Sequence, residues 1–359
     1  MIPAVEASIS CSALKHNLER VRQQAAQSQV MAIIKANAYG HGLLRTARAL
    51  IDADAFGVAR LAEGIELREQ GITQPVVLLA GVMTLEELAL AAQYQLDLVV
   101  HQEMQLELLA QWQVDEPCFN VWIKLDTGMH RLGLATSQLD IVLKRLATCK
   151  AVTQSVSLMT HFSSADELDK PQTSDQISRF HHAIENHNKK TSLANSAAIL
   201  AWPQSHAHWV RPGIMLYGVS PFENSTAHEH DLQPVMTLKT SVMAINQVAK
   251  GEAIGYGATW HCPETMPVGI IAIGYGDGYP RHIKLGTPVL INGLRVPIIG
   301  RVSMDTMCVD LRHCSDVKIG DTVTLWGEGL PVEEIARCAG TIAYELLCQL
   351  TPRVQFVEV

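Results

Sequence analysis

No run of about eighteen or more apolar residues occurs in this chain of 359, so no segment is expected to cross a membrane as a helix. No lysine- and arginine-rich stripe occurs either, and a net charge of −8 repels the phosphates of a nucleic acid. The eight cysteines contain no CxxC pair and match no zinc spacing. Most of them read as reduced, small core residues of a cytoplasmic protein. Two histidine pairs, His206 with His208 and His228 with His230, have no cysteine or carboxylate cluster beside them, so no metal site is expected. The first residues, Met1-Ile2-Pro3-Ala4-Val5-Glu6, carry neither the basic stretch nor the apolar core of a signal peptide. Internal repeats and low-complexity tracts are also absent.

What is present is an apolar share of 48%, enough for a sizeable core, in a chain long enough for two domains or a barrel with an appendage. Short apolar runs at 31–35, 55–59, 75–79, 97–101, 119–125, 156–162, 191–195 and 209–211 read as strands. Amphipathic stretches separate them, at 61–70, 84–92, 102–112, 137–147 and 174–188. Eight such units predict a (β/α)8 barrel, with a leading helix from residue 12 to about 26 outside it or across its bottom. A doubly wound sheet would want GxGxxG after its first strand, and none is there. After about residue 230 the helical period stops. β-branched runs bounded by Gly and Pro take over, at 237–248, 268–273, 287–291, 295–299, 307–311 and 322–326. This predicts a barrel domain over 1–230 and a C-terminal all-β domain over 231–359, joined by the polar segment 220–233.

In such a barrel, chemistry gathers at the carboxyl ends of the strands. The run Met31-Ala32-Ile33-Ile34-Lys35-Ala36-Asn37-Ala38-Tyr39-Gly40-His41-Gly42 ends an apolar strand in a lysine, where desolvation lowers the amine's pKa. A partly neutral amine suits a Schiff base with pyridoxal phosphate or a carbonyl substrate; a strand-capping lysine that reaches out to water is the alternative. Four further strand ends carry polar residues: Lys124 to Arg131 on the fifth, His161 on the sixth, Asn195-Ser196 on the seventh and Arg211-Pro212-Gly213 on the eighth. Packing alone does not produce five such coincidences.

With Ile254-Gly255-Tyr256-Gly257 and Gly300-Arg301-Val302-Ser303-Met304-Asp305, these motifs follow in order along essentially the whole chain. By them the sequence resembles the bacterial alanine racemases, pyridoxal phosphate enzymes built from a barrel and a β-domain. The resemblance implies that Lys35 carries the cofactor. It implies that Tyr39, Ser196 and Tyr344 hydroxyls, with Gly213 and Ile214 amides, hold the phosphate. Arg211 would face the pyridine nitrogen, which it cannot protonate because its own pKa exceeds about 12. Racemisation needs a base on each side of Cα, and the resemblance gives Lys35 for one. Tyr256 of a second subunit would be the other, with His161 bridging it to Arg211. Without the resemblance, Tyr256 is only an aromatic in a flexible turn. Arg131 would meet the substrate carboxylate, aided by the Met304 backbone of the second subunit. Lys124, carbamylated in many members, would orient that arginine. Asp305 and Tyr275 would support the site, while Asp277 and its glycines read as turn chemistry.

The implied assembly is a homodimer with shared sites, acting on alanine to supply or degrade the D-amino acid of peptidoglycan. Three alternatives remain at this stage. A decarboxylase of basic amino acids would favour an acidic residue where Arg211 stands. A cofactor carrier would lack the β-domain. A racemase of broader specificity, for serine or lysine, would have to fit larger side chains where Tyr344 and Met304 crowd the pocket.

Overall fold

The computed structural model describes residues 5–359; residues 1–4, part of the segment read above for signal-peptide features, lie outside the described residues. A short strand, β1 (Glu6–Ile9), leads into the helix Cys11–Gln24. Ser10 caps that helix, its Oγ accepting from the Ala13 amide at 3.2 Å, a bond worth about 1 kcal/mol. The helix buries Leu14, Leu18 and Val21, the i, i+4, i+7 stripe of an amphipathic helix.

Eight parallel strands then close a barrel. They are β2 (Gln29–Ile33), β3 (Ala55–Val58), β4 (Val76–Leu78), β5 (Asp97–Val100), β6 (Phe119–Asp126) with its two-residue neighbour β7 (Leu134–Ala135), β8 (Val152–Met159), β9 (Thr191–Ser192) and β10 (Trp209–Val210). Neighbours in sequence are neighbours in the ring, and β10 bonds back to β2. The strands are apolar on both faces because side chains fill the inside and helices cover the outside. Val30, Met31, Ala32, Phe56, Val76 and Val77 are all fully buried.

All eight expected runs form strands, but most stop short of their expected ends. Lys35 stands two residues beyond β2, His161 two beyond β8, and Arg211 one beyond β10. At these points the backbone leaves the ladder to turn, so the polar side chains sit on the rim loops. Gly218 (φ +69°) follows β10; a Cβ there would lie 1.7 Å from the Gln233 carbonyl oxygen, so only glycine fits this close approach.

The remaining strands are β11 (Met236–Val248), β12 (Met266–Ile271), β13 (Pro288–Ile291), β14 (Leu294–Ile299), β15 (Met307–Asp310), β16 (Thr322–Trp326) and β17 (Gln355–Glu358). The long β11 bonds both β12 and β16, with a register shift in each pairing, and so closes the ring β11-β12-β15-β14-β13-β16. Bulges of this kind bend a strand enough to serve two neighbours. The chain's first strand joins this second sheet, β1 pairing antiparallel with β11 and parallel with β17. Two short helices, Val332–Ala339 and Ala343–Cys348, also lie in the C-terminal part, where the β-branched pattern does not announce them.

Candidate active site

Lys35 is set on an unusual piece of backbone. Ala36, Asn37 and Ala38 (φ 54°, 52° and 53°) and Tyr39 (φ 52°) form a left-handed turn, continued by Gly40 (φ 83°). Each non-glycine residue in that region costs about 1–2 kcal/mol, so other groups must hold it. His41, fully buried, donates from Nδ1 to the carbonyls of Ala38 and Tyr39, both at 3.0 Å. Asn37 Oδ1 accepts from the Leu43 amide at 2.8 Å. Glu63 accepts from Ala36 N at 2.6 Å and more weakly from Asn37 N at 3.4 Å. The helix Ala343–Cys348 closes over the top, where a Cβ on Gly40 would sit 2.1 Å from the Leu347 carbonyl oxygen. Burial, then Arg131, lowers the pKa of Lys35, against a smaller opposing pull from Glu63.

Tyr39 points its ring into an aromatic stack. Its centroid lies 4.7 Å from Tyr217 and 5.9 Å from Tyr344, and the His41 ring also stacks on Tyr217 at 4.6 Å. Tyr217 donates to the Ile33 carbonyl at 2.9 Å, which fixes the stack to the end of β2. Burial pushes the Tyr39 and Tyr344 phenols up, so both are neutral donors. A Cβ on Gly213 would meet the Tyr39 hydroxyl at 2.6 Å. Ser196, first residue of the helix Ser196–Ala201, accepts from the amides of Gly213 (2.9 Å) and Met215 (3.3 Å). Its own hydroxyl proton has no acceptor among the described residues. Tyr39, Ser196, Gly213 and Tyr344 thus gather at one place, with Ile214 next in chain.

The second cluster is cationic. Arg211 donates to Ser192 Oγ (2.6 Å) and to the carbonyls of Thr160 (2.5 Å) and Leu193 (3.2 Å), and reaches His161 Nδ1 at 3.4 Å. It makes no ion pair among the described residues, and burial lowers its pKa to about 10, which leaves it charged at neutral pH. His161 is held well below the usual imidazole range, first by burial and then by Arg211, Lys124, Arg131 and Lys35. It is therefore neutral, with Nδ1 as acceptor. Lys124, on β6, is brought down to about 8, first by burial and then by Arg211, Arg131 and Lys35. At the end of β6, Asp126 Oδ1 accepts from the amides of Gly128, Met129 and His130 (2.9–3.1 Å). This folds the loop that ends in exposed Arg131.

The β-sheet ring carries the rest. Tyr256 and Met304 are 68% and 52% exposed, and no hydrogen bond among the described residues ties either to Lys35, His161 or Arg211. Asp277 is more than a turn residue. Its Oδ2 accepts from Gly274 N, its Oδ1 pairs with Arg353 Nε at 3.1 Å, and Arg353 Nη2 pairs with Asp305 at 2.7 Å. Gly276 N donates to the Met304 carbonyl at 2.8 Å, so the loops bearing Tyr275, Met304 and Asp305 form one unit.

Sequence reasoning missed Glu63, Tyr217, Thr160 and Ser192, whose partners are remote in sequence. No group of three or more His, Cys, Asp or Glu side chains suited to a metal occurs among the described residues. His206 and His230 are instead hydrogen-bonded to the Ile199 carbonyl and to Ser225.

Residues 9–221 match the family description "Alanine racemase, N-terminal domain", and residues 235–358 match "Alanine racemase, C-terminal domain". The chain is 52% identical over 349 residues to an alanine racemase of Nitrosococcus oceani, covering 97% of this chain and 98% of that one. It is 51% identical over 347 residues to the biosynthetic alanine racemase of Escherichia coli, covering 96% of each. The crystal structure of the biosynthetic alanine racemase from Pseudomonas aeruginosa superposes with a TM-score of 0.96 at 43% identity, covering all of both chains. With barrel and β-sheet ring both matched and no part of the architecture left over, the chain belongs to the alanine racemase family.

Proposed function

We propose that this protein is a pyridoxal phosphate-dependent alanine racemase, interconverting L- and D-alanine as a homodimer with two shared sites. What supports this most is Arg211, a buried guanidinium without an ion pair among the described residues, set among neutral His161 and the two easily deprotonated amines Lys35 and Lys124. A basic amino-acid decarboxylase would want a carboxylate there.

The donor set fits the cofactor. Its phosphate suits the Tyr39, Ser196 and Tyr344 hydroxyls and the Gly213 and Ile214 amides, its aldehyde suits Lys35, and its ring suits Arg211 with His161. The free Ser196 hydroxyl proton is what an anion needs, and the missing Cβ of Gly213 lets the Tyr39 hydroxyl come close to it. When bound, pyridoxal phosphate withdraws electron density from Cα of the amino acid and makes its proton labile.

Side chains do the rest. Lys35 Nζ takes or returns the Cα proton on one side. Tyr256 Oη of a second copy does so on the other, with His161 bridging it to Arg211. Arg131, with the Met304 backbone of the second copy, receives the substrate carboxylate, Asp305 supports the site, and the carbamate of Lys124 orients Arg131. Arg211 keeps its proton, which limits side reactions. We assign residues 1–230 to the barrel, with β1 bonded to the other sheet, and 231–359 to the β-domain. The product would serve or drain peptidoglycan synthesis in the cytoplasm.

The test is L-alanine with protein and cofactor in D₂O, following optical rotation and Cα deuteration together. Rotation decaying to zero as deuterium enters Cα establishes racemisation. Deuteration with retained rotation leaves only one working base, and neither signal removes the proposal.

A further inference from the structure

Glu63 spends its two carboxylate oxygens on different elements. Oε2 accepts from the amides of Ala59 and Arg60, both at 3.0 Å, closing the start of the helix Leu61–Glu69. Oε1 reaches across to Ala36 N at 2.6 Å and Asn37 N at 3.4 Å. Those two amides open the left-handed turn that carries Lys35 at one end and Tyr39 at the other. In that turn they face away from any ladder, and the carboxylate is their acceptor.

We infer that Glu63 is a positioning residue, whose carboxylate holds the left-handed turn so that Lys35 and Tyr39 are presented together. The inference rests on Lys35 being the reactive amine proposed above. The chemistry allows the two jobs of Glu63 to be separated. A glutamine at the third helical position caps a helix start as glutamate does, with its one amide oxygen turned to Ala59 and Arg60. Its NH₂ group then meets Ala36 N–H donor to donor, and a hydrogen bond to a charged group, the stronger kind, is lost. His41 holds the far end of the turn, so the barrel should still fold.

The experiment compares wild type with Glu63→Gln, first as apoprotein. Backbone amide exchange in residues 36–39 should rise about tenfold to a hundredfold, from the worth of a charge-assisted bond, while exchange in residues 61–69 stays as in wild type. With Lys Cε labelled by ¹³C, Lys35 should titrate lower in the variant, since a neighbouring anion is gone. In the loaded enzyme kcat should fall about tenfold or more with KM changed little, because substrate contacts are untouched. Exchange and Lys35 titration both unchanged would overturn the inference. So would faster exchange throughout 61–69 with the turn protected, which would make Glu63 a helix cap alone. Failure of wild type to racemise alanine would instead strike the function proposed above, and the apoprotein exchange would still decide the role of Glu63.

Discussion

Arg211 Nη2 lies 3.4 Å from His161 Nδ1, a cation donating to a neutral imidazole, and among the described residues no carboxylate pairs with either. The guanidinium is held instead by two main-chain carbonyls and a serine hydroxyl. Dipoles fix its position and leave its charge available.

Arg211→Lys keeps the charge but loses the planar fork. One ammonium cannot serve Thr160 O, Leu193 O and Ser192 Oγ together, and a buried carbonyl left short of a donor costs about 1–3 kcal/mol. The variant should melt several degrees lower and lose about a hundredfold in kcat/KM. Thermal melts beside steady-state rates measure both, and wild-type values for each would show that charge alone suffices.

Lys124 makes a pH prediction with a definite sign. Its folded pKa of about 8 lies below that of an unfolded lysine, near 10.4. Between those values the unfolded chain binds the extra proton, so stability rises with pH across that window. Below it both states are protonated and that contribution is gone. Lys124→Met should remove the rise, visible in melts between pH 7.5 and 10 as about a few degrees relative to wild type.

The same amine should accept carbon dioxide, giving a carbamate and releasing one proton. The product is an anion where three cations converge, which favours it. In ¹³C-bicarbonate a carbamate resonance should appear in wild type and be missing from Lys124→Met. No resonance from wild type at pH 8 would leave Lys124 a plain amine.

Asp97 opens β5 at the other end of the barrel, where it accepts from Asn120 Nδ2 at 2.9 Å. Burial raises its pKa to about 6, above the unfolded value near 3.9. The folded state therefore holds the extra proton, and the stabilisation, full below about pH 4, is lost as pH rises through 6. Asp97→Asn should flatten this slope in denaturant titrations at pH 4, 6 and 8, leaving activity at pH 8 unchanged. A slope equal to wild type would move the cause elsewhere.

Shared sites predict complementation. Lys35→Ala and Tyr256→Phe chains are each defective alone. Refolded together they should form heterodimers with one intact site, recovering about a quarter of wild-type activity for random pairing. Recovery of nothing, with heterodimers demonstrated, would place Tyr256 in the same subunit's site.

The barrel was legible because its strands are buried on both faces and so read as eight apolar runs. Lys35, His161, Ser196 and Arg211 were legible because a polar residue at the end of such a run has little packing reason to be there. The hand of the turn after Lys35 was not. Left-handed backbone is usually signalled by glycine, and here Ala36, Asn37, Ala38 and Tyr39 adopt it without one. Part of what holds it comes from Glu63, 27 residues from Ala36, and no local pattern records that contact. Asp277 shows the opposite limit. Its spacing among glycines does describe a turn, yet the ion pair through Arg353 to Asp305 depends on a residue near the far end of the chain.

The pairing of β1 with β11 and β17 sets an order of events during synthesis. The strand at residues 6–9 is made before any barrel strand, but its partners are residues 236–239 and 355–358. Every barrel strand is made before even the nearer partner exists, so the barrel can close first while β1 waits as an open edge. Such edges recruit other chains, and loops this long are slow to close. The interval between the making of β1 and its burial leaves that edge open to pairing with another chain.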